Sequence, residues 1–168
     1  IDTLRADHLD VYGYARETAP ALTQLARAGA LFDRSYSQSS STVPTHASLF
    51  TGRFPFQHGA YHVGLSVSDA ELTLAELFSQ AGYRTFAATS SVRFRGQTGF
   101  DQGFDVFERF DELAKNQRSA AVTTRVLEWV AADDGPWFGF VHYFDPHQPY
   151  APPEPWRTRW HRGLPRPT

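Results

Sequence analysis

The chain has 168 residues, of which 41% are hydrophobic and 20% charged, a composition typical of a globular domain. Its formal net charge of -2 gives no overall basic footprint for nucleic acid, and the absence of cysteine excludes disulfides and thiolate metal sites. The length fits one domain or one large piece of one. Because the sequence contains no methionine, we interpret it as an internal fragment of a longer protein, with Ile1-Asp2-Thr3 as the end of a strand.

The first predicted elements surround a candidate reactive loop. Residues 19–28 have the apolar spacing of a short helix that stops at a glycine, and residues 30–36 alternate as a strand would. A helix is predicted over residues 44–51, because Pro44 suits a first turn, where its missing N–H is not needed. Thr42 is therefore expected at the helix N-terminus, where free N–H groups favour an anionic ester. A hydroxyl placed there can attack phosphorus or sulfur once its proton is removed or masked.

The second half of the chain predicts two helix–strand units. Residues 69–81 are expected to form a helix capped by Asp69, and residues 83–89 a strand. The apolar stripe over residues 118–132 predicts the clearest helix. The nearly continuous apolar run over residues 137–144 predicts a strand buried on both faces, as in a parallel sheet. The repeated order of helix, stop and strand predicts an α/β fold whose sheet is covered by helices, and a long proline-rich surface loop follows.

Three polar groups follow predicted strands, which is where ligands bind in open α/β sheets. Asp2 can hold a hard divalent cation, Thr42 can act as the nucleophile, and His147, between two prolines, can bind an anion or protonate a leaving group. Each has a plainer interpretation when taken alone: a turn or cap residue for Asp2, an N-cap for Thr42 and a surface turn for His147. Because the three are expected to converge on one edge of one sheet, we interpret them as a reactive site.

Other polar residues are weaker candidates. His46 lies on the first turn of the helix behind Thr42 and can face the same anion, whereas His58 is interpreted as a structural turn residue. Arg93 is a candidate substrate-binding residue, although a solvated loop charge is the favoured interpretation for it and for Arg95. The remaining weak candidates are Arg5 and Asp7 after Asp2, His62, and the aromatic and basic stretch over residues 156–162, which is too short to favour a nucleic-acid or membrane patch.

Four groups of segments match one known family in order and spacing. They are residues 1–9 with 12–14, residues 18–22 followed by 28–32, residues 42–46 (Thr-Val-Pro-Thr-His) with 49–53, and residues 144–150. The first resembles the N-terminal metal motif of sulfatases, and the second the segment that follows it there. The third is similar to the sulfatase signature, which begins with Cys or Ser and ends in a Leu-Thr-Gly-Arg run. The fourth resembles the substrate-site histidine loop, so the resemblance covers essentially the whole chain.

This resemblance, to sulfatases within the alkaline phosphatase superfamily, implies a three-layer α/β/α sandwich with a mostly parallel sheet. Residues 1–168 would be the N-terminal part of a single catalytic domain. It implies a divalent metal ion bound partly by Asp2 and Thr42, calcium if the site is sulfatase-like and zinc or manganese if it is phosphoesterase-like. Thr42 occupies the nucleophile position, His46 replaces an arginine beside it, His147 contacts the substrate, and the remaining metal ligands are expected downstream.

The resemblance also implies a substrate class and a place in the cell. The substrate is expected to be a small-molecule, glycan or lipid sulfate or phosphate ester. Family analogy allows a periplasmic, secreted or membrane-attached enzyme.

Departures from the sulfatase pattern leave the reaction open. Sulfatases convert the signature Cys or Ser to formylglycine, which is not expected here because Thr42 is neither. Thr3 stands where many sulfatases have a second aspartate, and residues 89–93 lack their Lys and His pair. Superfamily relatives with a threonine nucleophile act on phosphate or phosphonate groups, where the metal itself lowers the hydroxyl pKa.

The sequence is therefore compatible with three functions. The first is a metal-dependent hydrolase of sulfate esters or related phosphate esters, with a covalent intermediate on Thr42. The alternative is a phosphoryl or phosphonate hydrolase, or a phosphoethanolamine-type transferase, that uses Thr42 directly. The second alternative is a sulfatase-like binding protein whose site is catalytically degenerate.

Overall fold

The computed structural model describes residues 1–94 and 98–159, and the chain divides into two compact units. The smaller unit is Thr3–Ser37, and the larger consists of Ile1–Asp2 with the chain from Gln38 onward. In chain order the helices are α1 (Pro20–Ala28), α2 (Thr42–Thr51), α3 (Pro55–His58), α4 (Leu74–Gln80), α5 (Lys115–Ala131) and α6 (Trp156–Arg159). The strands are β1 (Arg84–Thr89), β2 (Val106–Arg109) and β3 (Trp137–His142).

The described strands of the larger unit form a parallel sheet in the order β2-β1-β3. The central strand β1 is buried over five of its six residues, as the apolar run ending at Thr89 requires. The strand predicted over residues 137–144 is shorter and only partly buried, because β3 is an edge of the described sheet. In the β1–β3 register Thr89 pairs with His142, so the two strands end side by side.

Helices cover both faces of this sheet, because successive side chains of a strand point to opposite sides. On one face Phe86 and Ala88 of β1 pack with Val122 and Trp129 of α5. On the other face the apolar side of α2 packs against Phe140 of β3, and the main members of that cluster are Val43, Ala47, Phe50, Phe94 and Phe100. Burying each large apolar side chain contributes about 1.5–3 kcal/mol, so the two clusters hold the layers together. The α/β prediction is confirmed.

Helix α4 begins later than the sequence pattern predicts, and Asp69 is not its cap. Thr73 caps it instead: its hydroxyl accepts from the Glu76 N–H at 3.2 Å, and the Glu76 carboxylate accepts from the Thr73 N–H at 2.7 Å. This reciprocal capping box satisfies two N–H groups at once, which a single aspartate four residues earlier cannot do. Strand β2 and the one-turn helix α3 lack a periodic pattern of their own and are not predicted.

The smaller unit is built around α1, which closely matches the predicted helix over residues 19–28. The Asp10 carboxylate accepts hydrogen bonds from the Ala19 N–H at 2.9 Å and the Thr23 hydroxyl at 2.6 Å, and these bonds lower the pKa of Asp10. Residues 30–36 are not a strand, and the prediction there is wrong. The segment is exposed and pairs with no strand among the described residues, and alternation alone cannot satisfy a strand's backbone groups.

The last described residues form α6 where a loop is predicted. The Arg159 guanidinium lies over the Trp156 ring, 5.2 Å from its centroid. These two residues of the aromatic and basic stretch thus form a cation–π contact with each other. Residues 160–162 of that stretch and Arg95 lie outside the described residues. Within the described part of the chain, every helix is too short or too polar to cross a lipid bilayer.

Candidate active site

The site lies where β3 ends and Asp2 meets it. The Asp2 N–H donates to the Tyr143 carbonyl at 2.8 Å, which fixes the aspartate beside the carboxyl end of β3. Ser90, which follows β1, holds the same region: its hydroxyl donates to the His142 carbonyl at 3.1 Å and accepts from the Phe144 N–H at 2.9 Å. The ends of the strands are therefore tied together by both backbone and side-chain bonds.

The Asp2 carboxylate is at the centre of this site. Its side chain is only 9% exposed, and its Oδ2 atom accepts from the Thr42 hydroxyl at 3.4 Å. The same Oδ2 atom lies 3.6 Å from His142 Nε2. Burial on its own would raise the pKa of Asp2, but His142, together with the charges of His147 and His46, lowers it on balance. Asp2 is therefore a carboxylate at neutral pH, as a metal ligand must be.

Thr42 is the first residue of α2, which starts two residues earlier than the pattern predicts. Ser41 is the N-cap, and its carbonyl accepts from the Thr45 N–H at 3.2 Å. The Thr42 hydroxyl thus lies at the positive end of a ten-residue helix, with Asp2 as its anionic acceptor. This combination favours both loss of the hydroxyl proton and approach of an anionic ester.

His46 lies one turn further along α2 and faces the sheet. Its Nδ1 atom donates to the Thr42 carbonyl at 2.7 Å, since a carbonyl can only accept. Its ring packs edge-on against Phe94, Phe140 and His142, at centroid distances of 5.2, 5.6 and 5.3 Å. Burial lowers the pKa of His46 to about 4, so the imidazole is neutral at pH 7. It cannot supply the positive charge of the arginine that the resemblance places there.

His142, the last residue of β3, is a site residue that sequence reasoning missed. It is 1% exposed, and neither ring nitrogen has a hydrogen-bond partner among the described residues. The Thr89 hydroxyl, on the residue paired with it in β1, is buried and likewise unpartnered within the described chain. One feature of the sequence could have identified His142: it is a histidine within an apolar run, close to the carboxyl end of a predicted strand.

His147 lies in the loop after β3 and is half-buried. Its ring stacks on Phe144 at 4.4 Å, its N–H donates to the Phe144 carbonyl at 3.0 Å, and its Nδ1 contacts the Gln148 carbonyl at 2.8 Å. Lys115 of α5 donates to the carbonyls of His147 and Pro149, and thereby fastens the loop to the helix. The ring stacking and these hydrogen bonds therefore hold the loop in place together with its prolines.

Arg93 lies in a 3-10 turn, Val92–Phe94, and is exposed. It lines an open groove of about 330 Å³ together with Val43, the residue after Thr42. The other lining residues are Val63, Gly64, Leu65, Ser66, Val92 and Thr98. The groove therefore reaches α2 at Val43, and Asp2, Thr42, His142 and His147 are not among its lining residues.

The remaining candidates make contacts of their own. His58 is buried, with Nε2 3.1 Å from the Ser48 hydroxyl and Nδ1 accepting from the Ala60 N–H, which is a structural arrangement. His62 is exposed and contacts the neighbouring Val63 carbonyl. In the smaller unit, Arg5 and Asp7 form an exposed ion pair at 2.6 Å.

The donor set around Asp2 suits a divalent cation. Carboxylate and hydroxyl oxygens are hard ligands, and the buried, unpartnered Nε2 of His142 lies beside them. Among the described residues, no group of three or more His, Cys, Asp or Glu side chains is placed to hold a metal ion. Asp2 and Thr42 are the two predicted ligands that the structure places in contact, and their oxygens are of the type that a hard divalent cation takes.

Comparison with known proteins gives one consistent family. The family model described as Sulfatase matches residues 1–163. Human N-acetylgalactosamine-6-sulfatase is 31% identical over 96 residues, which cover 49% of this chain and 18% of that protein. Human N-sulphoglucosamine sulphohydrolase is 29% identical over 144 residues, which cover 82% of this chain and 28% of that protein. The chain spans less than a third of the length of these relatives.

Solved structures share the fold at lower identity. The phosphonate monoester hydrolase of Agrobacterium radiobacter superposes with a TM-score of 0.79 at 20% identity, over 90% of this chain and 41% of that chain. The C-terminal periplasmic domain of EcEptC from Escherichia coli, crystallised in complex with Zn, gives 0.66 at 21% identity, over 89% and 43%. The described sheet and its helices therefore share the fold of these alkaline phosphatase-like proteins.

Proposed function

This chain belongs to the sulfatase family, and we propose that its protein hydrolyses sulfate esters or related phosphate esters through a covalent intermediate on Thr42. The observation that carries the proposal is the hydrogen bond from the Thr42 hydroxyl, at the start of α2, to the buried Asp2 carboxylate. A nucleophilic hydroxyl with an anionic acceptor at a helix N-terminus is equipped to attack an anionic ester.

In this proposal each residue has a defined part. Asp2 accepts the Thr42 hydrogen bond, orients the oxygen and takes its proton as that oxygen attacks sulfur or phosphorus and the bond to the leaving oxygen breaks. The N-terminus of α2 attracts the anionic group. His46 holds the Thr42 carbonyl through Nδ1 and thereby fixes the first turn of the helix. His147 donates a proton to the leaving oxygen, and water later releases the acid from Thr42. Arg93 contacts the substrate from the groove.

Asp2 and Thr42 would hold a divalent metal ion, which would supply a lower pKa for the attacking hydroxyl and positive charge opposite the ester. The donor chemistry supports such an ion, and so does the zinc complex of the EcEptC domain. Formylglycine plays no part, because Thr42 is neither Cys nor Ser. For the substrate we propose a sulfated or phosphorylated small molecule, glycan or lipid, given that the relatives include a sulfatase named for N-acetylgalactosamine.

The alternative is direct phosphoryl or phosphonate chemistry, as hydrolase or transferase. One observation favours it: the nucleophile position holds a threonine, which needs no modification to act on phosphorus when a metal lowers its pKa. The similarity of fold to a phosphonate monoester hydrolase is compatible with it. A degenerate binding protein is a third possibility, in which the ester is bound but never turned over.

One experiment separates these functions. The full-length protein is stripped of metal, reloaded separately with Ca²⁺, Zn²⁺ or Mn²⁺, and assayed with an aryl sulfate, an aryl phosphate and an aryl phosphonate monoester. Thr42→Ala is compared with Thr51→Ala, which removes a hydroxyl from the far end of the same helix. We expect Thr42→Ala to lower kcat by about 10³-fold or more and Thr51→Ala to leave it within about two-fold. Full activity of Thr42→Ala would sink the nucleophile assignment, and turnover of none of the esters would favour the binding protein.

A further inference from the structure

We propose that His142 is a metal ligand of this site, through its Nε2 atom. The inference rests on the proposed metal-dependent function and adds a nitrogen donor that the family resemblance does not assign. It also narrows the choice of ion. Three observations support it: the burial of the ring, the spacing of the donor atoms and the orientation that the sheet imposes.

The first observation is that His142 is buried and that neither of its ring nitrogens has a hydrogen-bond partner among the described residues. At 1% exposure the ring has almost no contact with water. Leaving a buried polar group unpaired is destabilising, so such groups are rare unless they serve a ligand.

The second observation is the spacing of the donor atoms. His142 Nε2 lies 3.6 Å from Asp2 Oδ2, and Thr42 Oγ1 lies 3.4 Å from that same oxygen. The His142–Asp2 distance is too long for a hydrogen bond and the Thr42–Asp2 hydrogen bond is a long one, whereas two donors around a tetrahedral ion with bonds of about 2.1 Å lie about 3.4 Å apart. Each of these two pairs of atoms thus has the spacing of neighbouring ligands of one ion.

The third observation is the orientation of His142. It is the last residue of β3 and shares a face of the sheet with Phe140, the face covered by α2. The ring of His46, on α2, lies 5.3 Å from it. His46 is not an equivalent donor through Nδ1, because that atom is already bonded to the Thr42 carbonyl. The fold therefore directs one free imidazole, that of His142, at the Asp2 carboxylate.

A nitrogen donor has a consequence for metal choice. Calcium takes oxygen ligands almost exclusively, whereas imidazole suits zinc and other transition metals. We infer that the site prefers Zn²⁺ or Mn²⁺ to Ca²⁺, and that His142 accounts for much of that preference.

The test uses the full-length protein loaded with Mn²⁺, whose electron spin couples to directly bonded nitrogen. Pulsed electron paramagnetic resonance is recorded for the wild type, His142→Gln and the matched control His46→Gln. We expect His142→Gln to lose one coordinated nitrogen, and His46→Gln to keep the wild-type coupling. By chelator competition, we expect His142→Gln to weaken Zn²⁺ binding by about 100-fold or more, with a much smaller change for Ca²⁺. An unchanged nitrogen coupling in loaded His142→Gln, or equal weakening of both metals, would overturn the inference.

A second measurement needs no variant and decides the matter if His142→Gln does not fold. A zinc-edge anomalous map of the wild-type crystal is expected to place the ion about 2.1 Å from His142 Nε2. An ion bound to Asp2 but more than about 3 Å from that nitrogen overturns the inference and leaves the proposed function intact. If His142 binds the ion but the protein turns over none of the esters, the inference is supported and only the proposed function is overturned.

Discussion

The Thr42 hydroxyl donates to the Asp2 carboxylate at 3.4 Å, although 40 positions separate the two residues in the sequence. The bond joins a helix N-terminus to the residue that lies beside the end of β3. It depends on the charge of Asp2, because a neutral amide is a weaker acceptor and a poor metal ligand. Metal binding and activity should therefore respond strongly to a substitution that removes the charge of Asp2 and keeps the size of its side chain.

We expect Asp2→Asn to weaken divalent metal binding by about 100-fold and to lower kcat/KM by a similar factor in the full-length protein. The amide keeps the size of the side chain but loses the charge that holds the ion. Isothermal titration with Zn²⁺ and an ester assay measure the two effects. Asp133→Asn removes an exposed carboxylate that pairs with Arg84 at 3.6 Å and serves as the control. Equal metal affinity for Asp2→Asn and the wild type would contradict the prediction.

We expect Lys115→Met to lower catalytic efficiency, because Lys115 fastens the His147 loop to α5 by donating hydrogen bonds to two carbonyls of the loop. A loosened loop misplaces His147, and we expect kcat/KM to fall about 10-fold with little change in thermal stability. Arg125→Met is the matched control, since Arg125 lies on the same helix and pairs with Glu108 instead. Steady-state kinetics of both variants provide the measurement. A loss of the same size in both would point to α5 rather than to the loop.

Two glycines with nearly the same backbone angle give a test of packing. Gly82 and Gly103 have φ of +81° and +80°, so alanine at either position pays about 1–2 kcal/mol for the left-handed conformation. A Cβ at Gly103 would lie 2.2 Å from the Glu76 backbone nitrogen, inside the capping box of α4, whereas one at Gly82 meets no described atom within 4 Å. We expect Gly103→Ala to lower the free energy of unfolding by about 1–3 kcal/mol more than Gly82→Ala. Urea unfolding measures both, and equal losses would mean that the chain relaxes freely around Glu76.

The buried His58 makes stability depend on pH. Burial lowers the pKa of His58, and protonating Nδ1 would break its bond from the Ala60 N–H. As pH falls below about 6.5 the unfolded chain takes up the proton first, so this contribution is complete above that pH and is lost toward the lower folded-state pKa. We expect the wild type to lose more stability than His58→Gln between pH 7.5 and pH 5. Urea titrations at the two pH values test this, and parallel losses would exclude His58 as the cause.

The sequence predicts most of the elements because their signals are local. The stripe of α5, the apolar run of β3 and the glycine after α1 are each contained in about a dozen residues. Residues 30–36 show the limit, since their alternation says nothing of whether a neighbouring strand is present. Asp69 shows another: it is a good cap by type, but Thr73 and Glu76 cap each other reciprocally.

The site is predictable in part for the same reason. Asp2, Thr42 and His147 follow predicted strands and lie in family motifs, so the sequence alone identifies them as candidates. His142 is not, because it lies inside an apolar run and its importance comes from register and side-chain orientation. The neutrality of His46 also escapes prediction, since it follows from the aromatic rings packed around it.

The distance along the chain between Asp2 and His142 has a consequence for biosynthesis. A ribosome that adds roughly 5–20 residues per second needs about 7–28 seconds to make the roughly 140 residues between them. During that interval the β1–β3 pairing cannot form, and Asp2 and Thr42 emerge without their histidine neighbour. The nascent chain therefore exposes Asp2 and Thr42 before His142 has been made, and the contact between Asp2 and His142 forms only after β3 has left the ribosome.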